Sequence, residues 1–199
     1  VSNRGTNLIF SIPGSKDSPT GSGKTLAYLL PVLESLKPEV KGVQAVVLVP
    51  SRELALQIDQ VFKSMNTPYK AMSCYGGRPA MEEHRTMKGI QPSVIIGTPG
   101  RMNDHLSKRN FDASTVRTLV IDEFDKCLEF GFQEEMATVI GQLPDLERRF
   151  LLSATDSEEI PQFTGMNRTT KLSFLSEDEP MSERIHIYKV LSPVKDKLE

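Results

Sequence analysis

The sequence predicts an α/β fold in which an open, mostly parallel β-sheet carries helices on both faces. Two observations predict it. Short apolar runs rich in β-branched residues recur along the chain, and helix-length segments with apolar residues at helical spacing separate them. Runs that are apolar throughout are typical of parallel strands covered on both sides, and strands separated by helix-length segments indicate βαβ units.

Four continuous apolar runs are the predicted strands, at residues 45–49, 93–96, 118–121 and 150–152, and a further apolar stretch lies near residues 71–74. Three helical periods, segments with apolar residues at helical spacing, accompany these runs, one before the first run and two between successive runs. Their apolar positions are Leu26, Leu29, Leu30 and Leu33, then Leu54, Ile58, Val61, Phe62 and Met65, then Met136, Val139, Ile140 and Leu143. In an open α/β sheet, ligands bind beyond the carboxyl ends of the strands, so the residues after each strand are the candidates for a site.

Composition excludes several classes of protein. The chain has 199 residues, enough for about one domain, and its 24 basic and 26 acidic side chains give a net charge of −2. No apolar run approaches the ~20 residues of a membrane span, and the N-terminus lacks a signal-peptide pattern. Cys74 and Cys127 have no metal-ligand spacing and are expected to remain thiols in a reducing compartment.

The segment SPTGSGKT, residues 18–25, opens the first helical period. Its glycines allow several backbone N–H groups to converge on phosphate oxygens. Lys24 can then reach the β and γ phosphates, the Thr25 hydroxyl can bind Mg²⁺, and the helix N-terminus adds positive potential. The alternative is a Gly/Ser loop with a chance lysine.

Two carboxylates, Asp122 and Glu123, follow the run at residues 118–121 directly. Asp122 is placed to hold Mg²⁺, and Glu123 fits the base that orients the water of hydrolysis. The alternative is a pair of acidic residues that stabilise a helix N-terminus.

Three other strand ends are polar and more ambiguous. The segment at residues 50–55 places Arg52 in the first turn of a helix, where the helix dipole disfavours a cation. Arg52 therefore either pairs with an anion or is a solvated surface arginine. The segments at residues 75–78 and 97–101 contain glycines and arginines that could clamp a nucleic-acid backbone or form plain turns. Ser153 and Thr155 could equally cap a helix.

Taken in order, SPTGSGKT, PSRELA, GG, TPGR, DEFD and SAT resemble motifs I, Ia, GG, Ib, II and III of the DEAD-box RNA helicases, over residues 18–155. The resemblance implies a RecA-like P-loop NTPase fold and the N-terminal domain of an ATP-dependent RNA helicase, with ATP and Mg²⁺ as cofactors. It also implies RNA as a partner, bound through backbone contacts and hence without sequence preference.

The resemblance implies a role for each motif. The implied ATP-binding residues are Thr20, Gly21, Ser22, Gly23, Lys24 and Thr25. The implied Mg²⁺ ligands are Thr25 and Asp122, and the implied catalytic residues are Lys24, Asp122 and Glu123. The implied RNA contacts are Pro50, Ser51, Arg52, Gly76, Gly77, Thr98, Gly100 and Arg101. The residues implied to couple the nucleotide to RNA are Asp125, Ser153 and Thr155.

The sequence departs from the family pattern in three places. Phe124 stands where motif II usually has alanine, and its ring is expected to shift the contacts of Asp125. The family has an apolar strand running directly into the phosphate loop, whereas residues 11–17 separate the apolar residues 8–10 from that loop. Either residues 11–17 are an insertion or residues are missing between Asp17 and Ser18, and we expect the second. The adenine-reading Q motif is not recognisable in residues 1–17.

The C-terminal residues predict a domain boundary. Residues 1–175 are expected to form the RecA-like domain, the acidic, proline-ended segment 176–183 a linker, and residues 184–199 the start of a truncated second RecA-like domain. The isolated chain is then expected to be a monomer that hydrolyses ATP weakly. A bacterial cytoplasmic location is expected, and an organelle stays open if a presequence has been removed.

Three other functions stay open at this point. The chain could belong to a motor that acts on DNA, since a fold does not fix a substrate. It could be an RNA clamp that turns ATP over slowly, or a P-loop ATPase that binds no nucleic acid.

Overall fold

The computed structural model describes residues 6–11, 24–77, 79–154, 160–166 and 169–173. Within them lies one seven-stranded sheet with the strand order β3-β4-β2-β5-β6-β1-β7, and every pair of neighbouring strands is parallel. The strands are β1 (Thr6–Ser11), β2 (Ala45–Leu48), β3 (Ala71–Cys74), β4 (Val94–Gly97), β5 (Thr118–Ile121), β6 (Arg148–Ser153) and β7 (Thr170–Ser173). The predicted parallel sheet is confirmed.

Six helices connect these strands in the described part of the chain. They are α1 (Lys24–Ser35), α2 (Arg52–Ser64), α3 (Ala80–Ile90), α4 (Pro99–Ser107), α5 (Phe124–Glu129) and α6 (Gln133–Gly141). The three predicted helical periods coincide with α1, α2 and α6. Short 3₁₀ turns add Ala113–Thr115 and Gln162–Thr164.

Alternate residues of each strand point to opposite faces of the sheet, so the core has two halves. On β2, Val46 and Leu48 join the half that contains residues of α3, α4, α5 and α6. Ala45 and Val47 join the half built by α1 and α2. Helices therefore cover both faces, as the continuous apolar runs predict.

Strand β1 precedes α1 and the phosphate loop in the chain. Thr6–Ser11 lies between β6 and β7, with Ser11 level with both Ser153 and Ser173. The chain therefore has a strand N-terminal to α1. The expectation that residues are missing between Asp17 and Ser18 stays a prediction. Residues 12–23, which connect β1 to α1, lie outside the described residues.

The apolar stripe of α1 differs from the predicted one. Leu26 and Leu30 are exposed, whereas Tyr28, Leu29 and Val32 are fully buried. A run of apolar residues on nearly every position fits more than one helical stripe, and packing against the sheet selects the stripe that contains Tyr28.

None of the helices in the described ranges combines the length and the apolar character needed to cross a bilayer. Cys74 and Cys127 are both buried, unpaired thiols, as expected.

Candidate functional site

The carboxyl ends of the central strands lie level at one edge of the sheet. Leu48, the last residue of β2, is in register with Gly97 on β4 and with Ile121 on β5, and Gly97 is in register with Cys74. The polar residues that follow these strands are therefore brought to one edge, as predicted. This edge carries every described candidate from motifs Ia, GG, Ib and II.

Helix α1 begins at Lys24, so Lys24 and Thr25 occupy its first turn. Both side chains are half-buried. Burial raises the pKa values of Asp122 and Glu123, and the positive charge of Lys24 offsets part of both shifts, so all three groups lie in one electrostatic neighbourhood. The other predicted phosphate-loop residues, Thr20, Gly21, Ser22 and Gly23, lie outside the described residues.

Asp122 is a buried carboxylate held by two hydrogen bonds. The Tyr28 hydroxyl donates to its Oδ2 at 3.1 Å, and the Glu123 backbone N–H donates to its Oδ1 at 2.9 Å. Burial raises the pKa of Asp122 to about 6, while these hydrogen bonds and Lys24 pull it down. Burial also raises the pKa of Tyr28. The side chain of Thr25 is a further hydrogen-bond partner of the Tyr28 hydroxyl. Tyr28 thus links the first turn of α1 to motif II.

Glu123 has a backbone that few residues with a β-carbon adopt. Its φ of 49° and ψ of 50° are left-handed, and it is the N-cap of α5. Its side chain is exposed overall, and partial burial of its carboxyl, together with the nearby Asp125, raises its pKa. Strained backbone of this kind clusters at functional sites, where it aims a side chain. Here it turns the carboxylate out of the core beside buried Asp122.

Phe124 directs its ring into the core. It is 2% exposed and its ring centroid lies 6.5 Å from that of Phe163. Asp125 is half-buried, and its Oδ1 has no hydrogen-bond partner among the described residues. Ser153 is buried at the end of β6, and Thr155 lies outside the described residues. The expected effect of Phe124 on Asp125 therefore stays a prediction.

An open groove of about 520 Å³ runs over the ends of β2, β3 and β4. Five of the eight predicted RNA contacts line it, together with one carboxylate and one aromatic ring that the sequence analysis did not select. The lining residues are Arg52, Gly76, Thr98, Gly100, Arg101, Asp104 and Phe132. The structure therefore brings motifs Ia, GG and Ib into one surface.

Motif Ia forms the first turn of α2. Ser51 is the N-cap, and its hydroxyl accepts a hydrogen bond from the Leu54 N–H at 3.2 Å. Pro50 is buried, while Arg52 is exposed and its guanidinium carbon lies 5.0 Å from the centre of the Tyr75 ring. A cation over an aromatic face is attracted by the ring quadrupole. Arg52 is thus held at the groove by Tyr75, a contact that its position in the sequence does not indicate.

Motif Ib begins with a tight approach between two strands. A β-carbon on Gly97 would lie 2.4 Å from the Cys74 carbonyl oxygen, so only glycine fits there. Thr98 is the N-cap of α4, but its side chain makes no capping hydrogen bond. The Thr98 side chain instead contributes to the groove, next to exposed Gly100.

Arg101 is only 13% exposed and is paired with carboxylates. Its Nε lies 3.5 Å from Oε2 of buried Glu83, and its Nη1 lies 3.9 Å from Oδ2 of Asp104. Glu83 also contacts Nε2 of His105 at 2.8 Å, and Nδ1 of His105 lies 2.8 Å from the Asn110 side-chain nitrogen. Since an amide nitrogen can only donate, His105 accepts through Nδ1 and donates through Nε2.

The donor atoms of Cys74, Glu83 and His105 lie within 4.8 Å of one another, a spacing that a metal ion could use. Burial, with Glu83, raises the pKa of the Cys74 thiol to about 12. Within the cluster, Glu83 and His105 are hydrogen bonded to each other at 2.8 Å, and Arg101 supplies a positive charge to the same carboxylate.

Sequence reasoning missed four residues of the site: Tyr28, Tyr75, Glu83 and Phe132. Tyr28 left one usable signal in the sequence, because a tyrosine in an apolar helix needs a partner for its hydroxyl.

Gly76 and Gly77 are exposed in a turn, with Gly77 at φ 89°, as the predicted turn requires. Whether each predicted residue binds its ligand stays a prediction.

A family model described as DEAD/DEAH box helicase matches residues 10–163, more than half of the chain. The chain belongs to the DEAD/DEAH box helicase family.

Curated relatives of this helicase family align with the chain over most of its length. The ATP-dependent RNA helicase DBP4 of Candida albicans is 34% identical over 191 residues, which are 90% of this chain and 25% of the relative. The ATP-dependent RNA helicase DeaD of Escherichia coli is 38% identical over 148 residues, which are 73% of this chain and 23% of the relative. The chain thus spans about a quarter of the length of these helicases.

Solved helicase structures share the fold. A DEAD box protein from Methanococcus jannaschii is 27% identical with a TM-score of 0.73, over 86% of this chain and 46% of that one. The DEAD-box helicase Mss116 bound to ssRNA and UDP-BeF is 28% identical with a TM-score of 0.76, over 90% of this chain and 39% of that one. The predicted RecA-like fold is confirmed.

Proposed function

We propose that this chain is the nucleotide-binding N-terminal domain of an ATP-dependent RNA helicase. One observation carries the proposal: the Tyr28–Asp122 hydrogen bond joins helix α1, whose first turn contains Lys24 and Thr25, to motif II. That contact assembles a phosphate-binding helix N-terminus and two carboxylates beside one edge of the sheet. The RNA-bound relative Mss116, with the same fold, supports RNA as the second ligand.

The residues at this edge fit a magnesium nucleotide. Asp122 offers carboxylate oxygens and Thr25 a hydroxyl oxygen, which are the ligands that Mg²⁺ prefers. The raised pKa of buried Asp122 reflects a negative charge that a cation would stabilise. Bound Mg²⁺ would neutralise charge on the β and γ phosphates.

The chain's own groups then divide the work of hydrolysis. Lys24 and the first-turn N–H groups of α1 bind the phosphates. Exposed Glu123, aimed outward by its left-handed backbone, accepts a hydrogen bond from the attacking water and orients it toward the γ-phosphorus. Asp122 stays fixed by Tyr28 while ATP and water become ADP and phosphate.

RNA is proposed to lie in the groove over β2, β3 and β4. The groove offers the Arg52 guanidinium, the Thr98 hydroxyl and exposed glycine backbone, which suit phosphate and ribose. Because these groups suit the phosphate and the ribose, which carry no sequence information, we expect binding without sequence preference.

The rest of the machinery belongs to the proposal as well. Because the relatives are about four times longer than the matched part, we propose a linker at residues 176–183 and a second RecA-like domain from residue 184 onward. These residues lie outside the described ranges. RNA and ATP would close the two domains over the shared edge.

The test is ATP turnover by the full-length protein with single-stranded RNA, single-stranded DNA or no nucleic acid. Lys24→Ala is expected to lose ATP binding, while Glu123→Gln should bind ATP and lose turnover at least about a hundredfold. Lys37→Ala and Glu129→Gln are matched controls, because both side chains are exposed, Lys37 two residues beyond the end of α1 and Glu129 at the last residue of α5.

Stimulation by RNA alone supports the proposal. Equal stimulation by DNA would favour a DNA motor, and no stimulation by either would favour an ATPase that binds no nucleic acid. Slow turnover with long-lived RNA complexes would favour a clamp. Retained turnover in Glu123→Gln would overturn the role assigned to that residue.

A further inference from the structure

A buried carboxylate lies directly beneath the groove. Glu83 of α3 is 4% exposed, and groups from two other parts of the chain point at it. The Tyr75 N–H donates to Oε1 at 3.2 Å, and His105 Nε2 donates to Oε2 at 2.8 Å. The Arg101 Nε lies 3.5 Å from the same Oε2. Glu83 is thus a junction between the turn after β3 and helix α4.

The contact with Tyr75 fixes one wall of the groove. Tyr75 immediately precedes the exposed Gly76–Gly77 turn, where glycines alone provide little side-chain packing. Its ring also carries the Arg52 guanidinium at 5.0 Å. Holding the Tyr75 backbone therefore sets both the turn and the surface on which Arg52 lies.

The contact with Arg101 changes the charge of the groove. Glu83 and Asp104 lie on two sides of this guanidinium, and Arg101 is almost buried between them. Two carboxylates cancel the positive charge that Arg101 would present to a phosphate. Exposed Arg52 keeps its charge at the groove surface, where its neighbour is an aromatic ring.

We propose that Glu83 is a positioning residue of the RNA site: it anchors the glycine turn through the Tyr75 N–H and retains Arg101 as an internal ion pair instead of a phosphate ligand. This inference rests on the proposed function, because it assumes that the groove binds an RNA backbone. The phosphate-binding arginine of the groove is then Arg52 alone among the described lining residues.

The experiment removes the ion pair without changing net charge. The full-length double variant Glu83→Gln/Arg101→Gln is compared with Glu82→Gln/Arg85→Gln, which makes the same substitutions at exposed positions of α3. Fluorescein-labelled decauridylate is titrated with a non-hydrolysable ATP analogue and Mg²⁺ present, between about 50 and 200 mM KCl. Arg52→Gln is the reference for loss of one phosphate contact.

We expect Arg52→Gln to reduce the slope of log K against log salt by about 0.7, the value for one phosphate on a single strand. The double variant should keep the slope of the unaltered protein and raise the Kd for RNA about fivefold, because a neutral amide replaces a charged acceptor. The Kd for the ATP analogue should stay within about twofold, since a loss confined to RNA separates positioning from general instability.

Two results would overturn the inference. The slope of log K against log salt is the first readout. If it falls in the double variant as much as in Arg52→Gln, Arg101 is a phosphate ligand. An RNA Kd equal to that of the control pair would remove any positioning role. If the double variant fails to melt cooperatively, Glu83→Asp replaces it, since it keeps the charge but withdraws the carboxylate by one methylene. The same loss of RNA affinity at unchanged slope is expected, and unchanged affinity would again overturn the inference.

The proposed function fails separately. If the unaltered protein binds no decauridylate with the ATP analogue, RNA is not the ligand of the groove. If the unaltered protein binds decauridylate and the variants give either of the two overturning results, RNA remains the ligand of the groove and only the role of Glu83 is wrong.

Discussion

The Tyr28 hydroxyl donates a 3.1 Å hydrogen bond to Oδ2 of Asp122, across 94 positions of sequence. Both residues are buried, and the bond is the described side-chain link between α1 and motif II. It orients the carboxylate that we propose as a Mg²⁺ ligand.

Replacing Tyr28 with phenylalanine should therefore weaken the response to magnesium. We expect Tyr28→Phe to raise the Mg²⁺ concentration for half-maximal ATP turnover about fivefold, because one hydrogen bond to a charged group is lost. Tyr69→Phe is the matched control, since the Tyr69 hydroxyl donates to the Leu36 carbonyl away from the site edge. Equal Mg²⁺ profiles for the two variants would contradict the prediction.

Burial of Asp122 predicts a pH-dependent penalty on stability. Its pKa rises from 3.8 to about 6 on folding, so the folded state binds the proton more tightly and stability falls as pH rises from about 4 to 6. Asp122→Asn should therefore be more stable at pH 7, by up to about 3 kcal/mol, and the gain should shrink as pH falls through 6. Urea denaturation in EDTA measures it, with exposed Asp145→Asn as the control. A gain that is constant across this pH range would refute it.

Phe124 is expected to be indispensable for stability although the family motif usually has alanine there. Phe124→Ala should lower the free energy of unfolding by about 3–5 kcal/mol, because its ring fills the core against Phe163. Thermal melting measures this loss. Phe130→Ala, at a position that is 60% exposed, should change stability far less. Similar melting temperatures for the two variants would show that the Phe124 site collapses without cost.

Two glycine substitutions should have opposite signs. Gly97→Ala should destabilise by about 2–3 kcal/mol, because its β-carbon would meet the Cys74 carbonyl oxygen at 2.4 Å. Gly89→Ala, inside α3 with open space around it, should stabilise by about 0.5–1 kcal/mol. Chemical denaturation of both variants tests the pair. Equal effects would mean that the β3–β4 approach relaxes easily.

The sequence predicts β2, β4, β5 and β6 well, because each contains a continuous apolar run that burial on both faces explains. Strand β3 contains Ser73 and left only a weak apolar stretch. The sequence does not predict β7, where Lys171 and Leu172 are exposed and β1 is the neighbouring strand among the described residues. The carboxylates of motif II could be found because they follow a strand directly. Glu83 and His105 could not, since they lie 22 residues apart on two helices and no periodic pattern links them.

Thr98 shows a subtler limit. Its position as N-cap follows from the strand–turn–helix pattern, but the choice between capping and facing the groove depends on a rotamer that only the surrounding packing selects.

At Glu123, thermal stability and ATP turnover place opposite demands on the same residue. Its left-handed backbone costs about 1 kcal/mol for a residue with a β-carbon, and a glycine there would relax the turn while deleting the carboxylate proposed to orient water. Directed evolution for heat resistance alone would therefore drift toward an inert protein at this residue. Only a selection that also demands ATP turnover would retain the strained glutamate.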